Sequence, residues 1–269
     1  LRLLNDIPAP NQPGDPVTHL NNWYKGDIRS ELDYVNYITR VDHNINSAWK
    51  MFARWNYNFR NGGRINYDGW DSPARRAVHL TRRNDGAALD AVGTISAHSV
   101  LSLRLGFNRF KEESIFTPAD VSALGFPSSL TGQLQIPDKY PIITFENYLQ
   151  TGNNETAILP SETFSGQASV LRTTGAHSFK YGFEYRVMRY ASIGRANGQG
   201  TYGFTRSWTS SNPQINDAAG GNAIASFLLG YMNSASAVLN ATPYLSSHYP
   251  VFFFHDDWQI GRASCRERV

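Results

Sequence analysis

The sequence predicts an antiparallel all-β protein: an arc of about nine strands from a larger transmembrane β-barrel, with long outer loops. Three observations carry this expectation. Segments about ten residues long alternate apolar and polar residues, the period of two that a strand with two different faces requires. Their apolar faces are rich in aromatic rings and free of charge, whereas the opposite faces hold arginine, lysine and glutamate. The connections alternate between brief turns and long stretches of Gly, Pro, Asn and Ser, as in outer-membrane barrels.

The clearest strands run over Lys50–Arg60, Leu101–Phe110 and Phe179–Val187. In the first, Met51, Ala53, Trp55, Tyr57 and Phe59 oppose Lys50, Phe52, Arg54, Asn56, Asn58 and Arg60. In the second, Leu101, Leu103, Leu105 and Phe107 oppose Ser102, Arg104, Gly106 and Asn108. In the third, Phe179, Tyr181, Phe183, Tyr185 and Val187 oppose Lys180, Gly182, Glu184 and Arg186. Weaker strands over 32–43, 87–97 and 163–173 precede them across short turns. Further strands are expected at Thr201–Trp208, Met232–Ala241 and Ser247–Gln259, and a short helix within Asp217–Tyr231, where Ala223, Ile224, Phe227 and Leu228 would share a face. The long connections are Asn61–Gly86 and Lys111–Pro160.

Aromatic, uncharged faces suit lipid. A lipid-facing Arg or Lys at the bilayer midplane costs about 2–4 kcal/mol, so the charged faces belong to a watery or plugged lumen. Arg54, Arg104, Lys180, Glu184 and Arg186 are the lumen-facing candidates. Trp70, Arg75, Arg76, Arg82 and Arg83, assigned to the first long loop, form a mixture able to contact an anionic or sugar-like ligand. No run of about 18 apolar residues exists, so a helical span is excluded; the best stretch is Ile224–Tyr231.

The last ten residues, 260–269 (IGRASCRERV), back-translate to DNA resembling a common sequencing adaptor, so the native part is taken as 1–259. Three arginines against one glutamate in that tail take two off the formal charge of +3, leaving +1. Near-neutral charge and the lack of a basic face argue against nucleic acid. Cys265, the sole cysteine, lies in the tail, which leaves no thiol for a disulfide or a nucleophile. The start at Leu1, with no leader, predicts a chain that begins inside a longer protein.

Other motifs give no chemistry. Gly198, Gly200 and Gly203 spell GxGxxG, but a phosphate cradle needs a helix behind it and none is expected. His255, Asp256 and Asp257 alternate faces along a strand, so only two could converge. No nucleophile elbow surrounds any serine, and the seven histidines show no ligand spacing. The sequons at Asn154 and Asn240 are expected by chance. Neither a cofactor nor enzymatic activity is expected. The rivals are a passive porin or adhesin, and a secreted β-sandwich carbohydrate-binding module.

Tyr37–Asn44 (YITRVDHN), Met51–Asn58 (MFARWNYN), Leu103–Phe110 (LRLGFNRF), Gly175–Arg186 (GAHSFKYGFEYR), Ala225–Tyr231 (ASFLLGY) and Phe252–Gln259 (FFFHDDWQ) occur in this order. Together, over roughly Leu32–Gln259, they resemble the TonB-dependent, Oar-like outer-membrane receptors that carry a carboxypeptidase-regulatory-like domain. The resemblance implies a barrel of about 22 strands, a plugged lumen, outer-membrane lipid around the wall and a location in the bacterial outer membrane. It also implies energised uptake of an unknown ligand bound by outer loops and plug, with TonB and its inner-membrane motor as partners. The regulatory-like domain, the plug, the TonB-contacting segment and the remaining strands would lie outside this sequence.

Overall fold

The structure, a computed structural model, describes residues 2–17, 31–63, 69–154, 157–194, 196–214 and 220–260. Seven long strands form one antiparallel wall: β1 (Leu32–Asn44), β2 (Trp49–Gly63), β3 (His79–Ser96), β4 (Ser99–Ile115), β6 (Ala157–Thr174), β7 (His177–Ala191) and β11 (Tyr244–Trp258). They pair in that order, with β1 and β11 at the two edges. β8 (Ile193–Gly194) adds two residues beside β6. A separate three-stranded sheet contains β5 (Ile142–Phe145), β9 (Thr201–Phe204) and β10 (Ser234–Ser236).

Each tight turn has a local cause. Between β1 and β2 the Asn46 side chain accepts from the backbone N–H groups of Ala48 and Trp49, both at 2.9 Å, closing an Asx turn. Between β6 and β7, Gly175 adopts φ 58°, where a side chain would be strained. These turns share one end of the wall. The opposite end carries every long connection, and by barrel convention that end faces outward.

Strands of 13 to 18 residues exceed the 9–11 or so that a tilted strand needs to cross a bilayer. Pairing register resolves where the crossing part lies. Residues opposed across an antiparallel ladder share a face, so Trp55, Ala87, Phe107, Phe164 and Val187 form one row and Ala53, Leu89, Leu105, Gly166 and Tyr185 the next. Phe183 and Phe252 continue the same face, with ring centroids 4.8 Å apart. These side chains stand in the open: Trp55 is 47 % exposed, Leu105 58 % and Phe252 79 %. A continuous apolar surface of this extent marks contact with lipid or another nonpolar partner rather than water.

The expected strands at 201–208 and 232–241 do not join the wall. Thr201–Phe204 and Ser234–Ser236 pair with each other in the small sheet, and Arg206–Thr209 is a 3-10 turn. Among the described residues the wall therefore has seven long strands, where about nine strands were expected over the whole chain. The short helix forms over Ala223–Leu228, capped by the Asn222 side chain accepting from the Ile224 N–H at 2.8 Å. Ala223 is buried and Ile224 and Phe227 pack against the same cluster, as expected, whereas Leu228 is exposed and Ser226 is buried instead.

Candidate functional site: the polar face and the outer cap

The polar face of the wall gathers all five lumen candidates. Arg54 and Arg186 share one row with Arg40, separated by the small residues Ala88, Gly106 and Ser165. Arg104 and Glu184 lie in the adjacent row with Asp42, Asp90 and Gln167. Lys180 sits across from His255 nearer the short-turn end. Pairing across the ladder and along single strands neutralises much of this charge. The Arg104 Nε donates to Asp90 at 2.7 Å, Arg40 to Asp42 at 2.6 Å, and Arg186 to Glu184. Arg54 and Lys180 make no ion pair among the described residues. Side chains at the centre are small of necessity: a Cβ on Gly106 would stand 2.6 Å from the Ser165 hydroxyl, and in the next row outward one on Gly86 would stand 2.5 Å from the Asn56 amide oxygen. The result is a polar track with cations along its margins.

The long connections were expected to be irregular loops, and this is corrected by the structure. They fold together as a cap with its own core. Ile143 and Phe145 from the second connection pack with Tyr202, Phe204 and Ala223 from the third. β5 and β9 pair in parallel, tying those connections together by backbone. Trp70 and Ala74 from the first connection pack with Tyr140. The segment before β1 joins too, since Leu3 and Ile7 contact both clusters and the Ser72 hydroxyl donates to the Asp6 carbonyl at 2.6 Å. Hydrogen bonds bridge the first and second connections, from Gly152 N–H to the Ala74 carbonyl at 2.7 Å and from the Asn153 amide to the Ala77 carbonyl at 3.3 Å.

This cap revises the outer-loop candidates. Trp70 is 6 % exposed and belongs to the core, so it is no ligand platform as it stands. Arg75 is half-buried and its guanidinium donates to the Thr117 hydroxyl at 2.5 Å. Arg76 remains in the cap. Arg82 and Arg83 are strand residues of β3 rather than loop residues, and they face opposite ways. Arg82 lies on the polar face and pairs with Glu112 at 2.5 Å; Arg83 lies on the apolar side and pairs with Asp85 at 2.7 Å. The loop assignment failed because HLTRRND, residues 79–85, is too polar to show alternation. Residues 261–269, with Cys265, lie outside the described residues.

Burial pushes the ionisation of the Tyr140 hydroxyl far above the usual phenol range, and Asp6 adds to it; burial also raises Tyr202. A raised folded-state pKa costs nothing while both states stay protonated. Cap stability is therefore expected to hold up to about pH 10, the ordinary tyrosine value, and to fall above it as the unfolded state ionises first. Tyrosine absorbance at high pH, compared with Tyr140→Phe, checks this: the variant should lose less stability between about pH 10 and 12.

Sequence reasoning missed Asp90 and Glu112 as partners of Arg104 and Arg82, and it missed the charged residues above the apolar band. Adjacent charges of opposite sign two positions apart on one strand, as in Arg83–Asp85, were the available signal. Gly200, at φ 84°, turns the chain into β9 and Gly203 lies within that strand, so the glycine motif is structural. His255 pairs with Asp257 at 3.0 Å and His177 with Asp256 at 2.8 Å; no group of three or more metal-binding side chains occurs among the described residues.

An open antiparallel wall, aromatic and nonpolar on one side, polar on the other, with short turns at one end and elaborate connections at the other, defines a wall segment of an outer-membrane barrel. The family model for the outer membrane beta barrel domain matches residues 1–263, and the chain belongs to that family, placing it in the bacterial outer membrane. The fold is similar to the crystal structure of the outer membrane transporter YddB from Escherichia coli, with a TM-score of 0.54 at 10 % identity. That likeness covers 85 % of this chain and 26 % of that one, so the chain spans about a quarter of its length. No curated protein matches the sequence significantly.

Proposed function

We propose that this chain forms part of the wall and outer mouth of a TonB-dependent, Oar-like transporter for a large or scarce ligand, and performs no covalent chemistry. The observation that carries the reading is the cap. Every described connection at the outer end contributes to one folded unit, and it stands on a wall whose inner face is a polar track. A folded mouth above a polar lumen suits a receptor that selects its ligand before moving it. Specificity would lie in the cap surface, including Arg75 and Arg76, and in a plug contributed by other parts of the protein. TonB and its motor would act through that plug. Residues 260–269 are read as adaptor-derived and take no part.

The full-length protein in planar bilayers tests this against a passive pore. A plugged, energised transporter is expected to show no stable open-channel conductance, and deletion of the plug should create one. Steady ohmic conductance from the intact protein would sink the energised reading in favour of a porin.

A further inference from the structure

Just outward of the apolar band, the same face of the wall changes character within one row. Asp85, Arg109, Glu162 and Arg189 stand side by side on four adjacent strands, and Arg83 and Lys111 oppose each other in the row beyond. With Glu113, this belt holds four cations and three anions on the outward surface. Its ion pairs are exposed: the Arg83, Arg109 and Lys111 side chains are 56 %, 51 % and 37 % accessible. Such surface pairs contribute little and exchange readily for a stronger anion.

Two of these cations bend down onto the rings that edge the band. The Arg83 guanidinium lies 5.3 Å from the Tyr57 ring centre and Arg189 5.7 Å from that of Phe164. Beneath them the nonpolar face is hollowed into a groove of about 760 Å³, bordered by Trp55, Leu89, Leu105, Phe107, Phe164 and Tyr185. Small residues at Ala53, Ala87 and Gly166 form its floor. Phe164 belongs to both features, so the groove runs directly into the cationic belt.

We propose that this surface is a binding site for a phosphorylated, multiply acylated lipid of the outer leaflet. Its chains lie in the groove and its phosphate is held by Arg109, Lys111 and Arg189, with Arg83 flanking. The two halves of the site match the two halves of one amphiphile. A headgroup phosphate at this height draws Arg109 from Glu162 and Lys111 from Glu113, two pairs at 3.4 and 2.8 Å. Arginine suits the task because its planar fork meets phosphate bidentately. The inference rests on the reading that the aromatic face meets lipid and adds headgroup selectivity at a defined place.

The full-length protein, stripped of lipid in detergent, is challenged with bis-phosphorylated hexa-acyl lipid A and with the same lipid after dephosphorylation, and retained lipid is counted by native mass spectrometry. The phosphorylated form is expected to bind about tenfold tighter, and the Arg109→Gln/Arg189→Gln variant to lose that preference while keeping its chain binding. Equal retention of both lipids by the unaltered protein would overturn the proposal, as would an unchanged preference in the variant. So would a groove covered only by a second copy of the chain, seen as lipid-free dimer. Quenching by brominated lipid, compared between the unaltered protein and Trp55→Phe, separates the two levels. Trp55 quenched without phosphate preference rejects the headgroup site alone, and Trp55 unquenched rejects the lipid-facing reading beneath it.

Discussion

Replacing Phe145 by alanine is expected to destabilise the cap by about 3–5 kcal/mol, the usual cost of removing a buried phenyl ring. Phe145 is 5 % exposed and forms a three-ring cluster with Phe204 and Phe227. It stacks on Phe204 at 6.1 Å between centroids and meets the Phe227 ring edge-on at 5.3 Å, while Phe204 also meets Phe227 at 5.1 Å. Deleting it removes one of the rings that join the second and third connections beside the β5–β9 backbone pairing. Limited proteolysis of the full-length protein provides the measurement. Cleavage within 116–154 and 196–236 should accelerate together, while the barrel keeps its resistance to unfolding in detergent. Unchanged cleavage would show that the clusters around Tyr140 and Phe145 do not depend on one another for support.

Leu105→Arg is expected to destabilise the folded barrel by about 2–4 kcal/mol, because the new guanidinium would stand on the lipid face near mid-band. Leu105 lies between Leu89 and Gly166 in the row below Phe107, with no described acid on that face within the band to receive the charge. Ser102→Arg, three residues along the same strand, is the control. It points to the opposite face, between Val92 and Ser169 and one row from Asp90, and should change stability by no more than about 0.5 kcal/mol. Urea unfolding of the full-length protein in lipid vesicles measures both. If the two variants were equally damaging, the assignment of the faces would fail.

The contrast between these positions explains what could be read from sequence. A strand with one face in lipid and the other in water imposes strict alternation, and LSLRLGF displays it without help from any other part of the chain. The wall was accordingly legible: β1, β2, β4, β7 and β11 begin and end within a few residues of expectation over the band itself. Legibility stopped where the strands leave the membrane. There both faces meet a polar medium, water or lipid headgroups, so residues 79–85 carry Arg82, Arg83, Asn84 and Asp85 in sequence, and periodicity vanishes although the ladder continues.

The cap was illegible for a different reason. Ile142 and Ile143 are adjacent yet both buried, since β5 is covered on both sides and has no polar face to alternate with. Tyr202 and Phe204 do alternate with Thr201, Gly203 and Thr205, which is why that segment reads as a wall strand. Yet β9 is flanked by β10 and β5 in the small sheet, and Tyr202 and Phe204 are buried in the cap rather than turned to lipid. One signal for the cap was present in the first connection. Trp70, Ala74 and Val78 recur every fourth residue among polar neighbours, and all three are buried. Of the candidate residues, the five expected to face a lumen share the polar face of the wall, because a strand's period assigns each residue its side. The five outer ones could not, because a connection has no period to consult.

The parallel pairing of β5 with β9 also dictates an order of assembly. Its two strands are separated in the chain by the β6–β7 hairpin, the 35 residues Ala157–Ala191, whose pairing shortens the path between Ile142 and Thr201. The cap is thus a late product of a nonlocal search, completed after the wall beneath it has brought its ends together. Until that moment Ile143, Phe145, Tyr202 and Phe204 are solvent-exposed on separate tethers. The interval between wall pairing and cap closure is when this part of the protein depends most on chaperones, and lengthening any tether extends it.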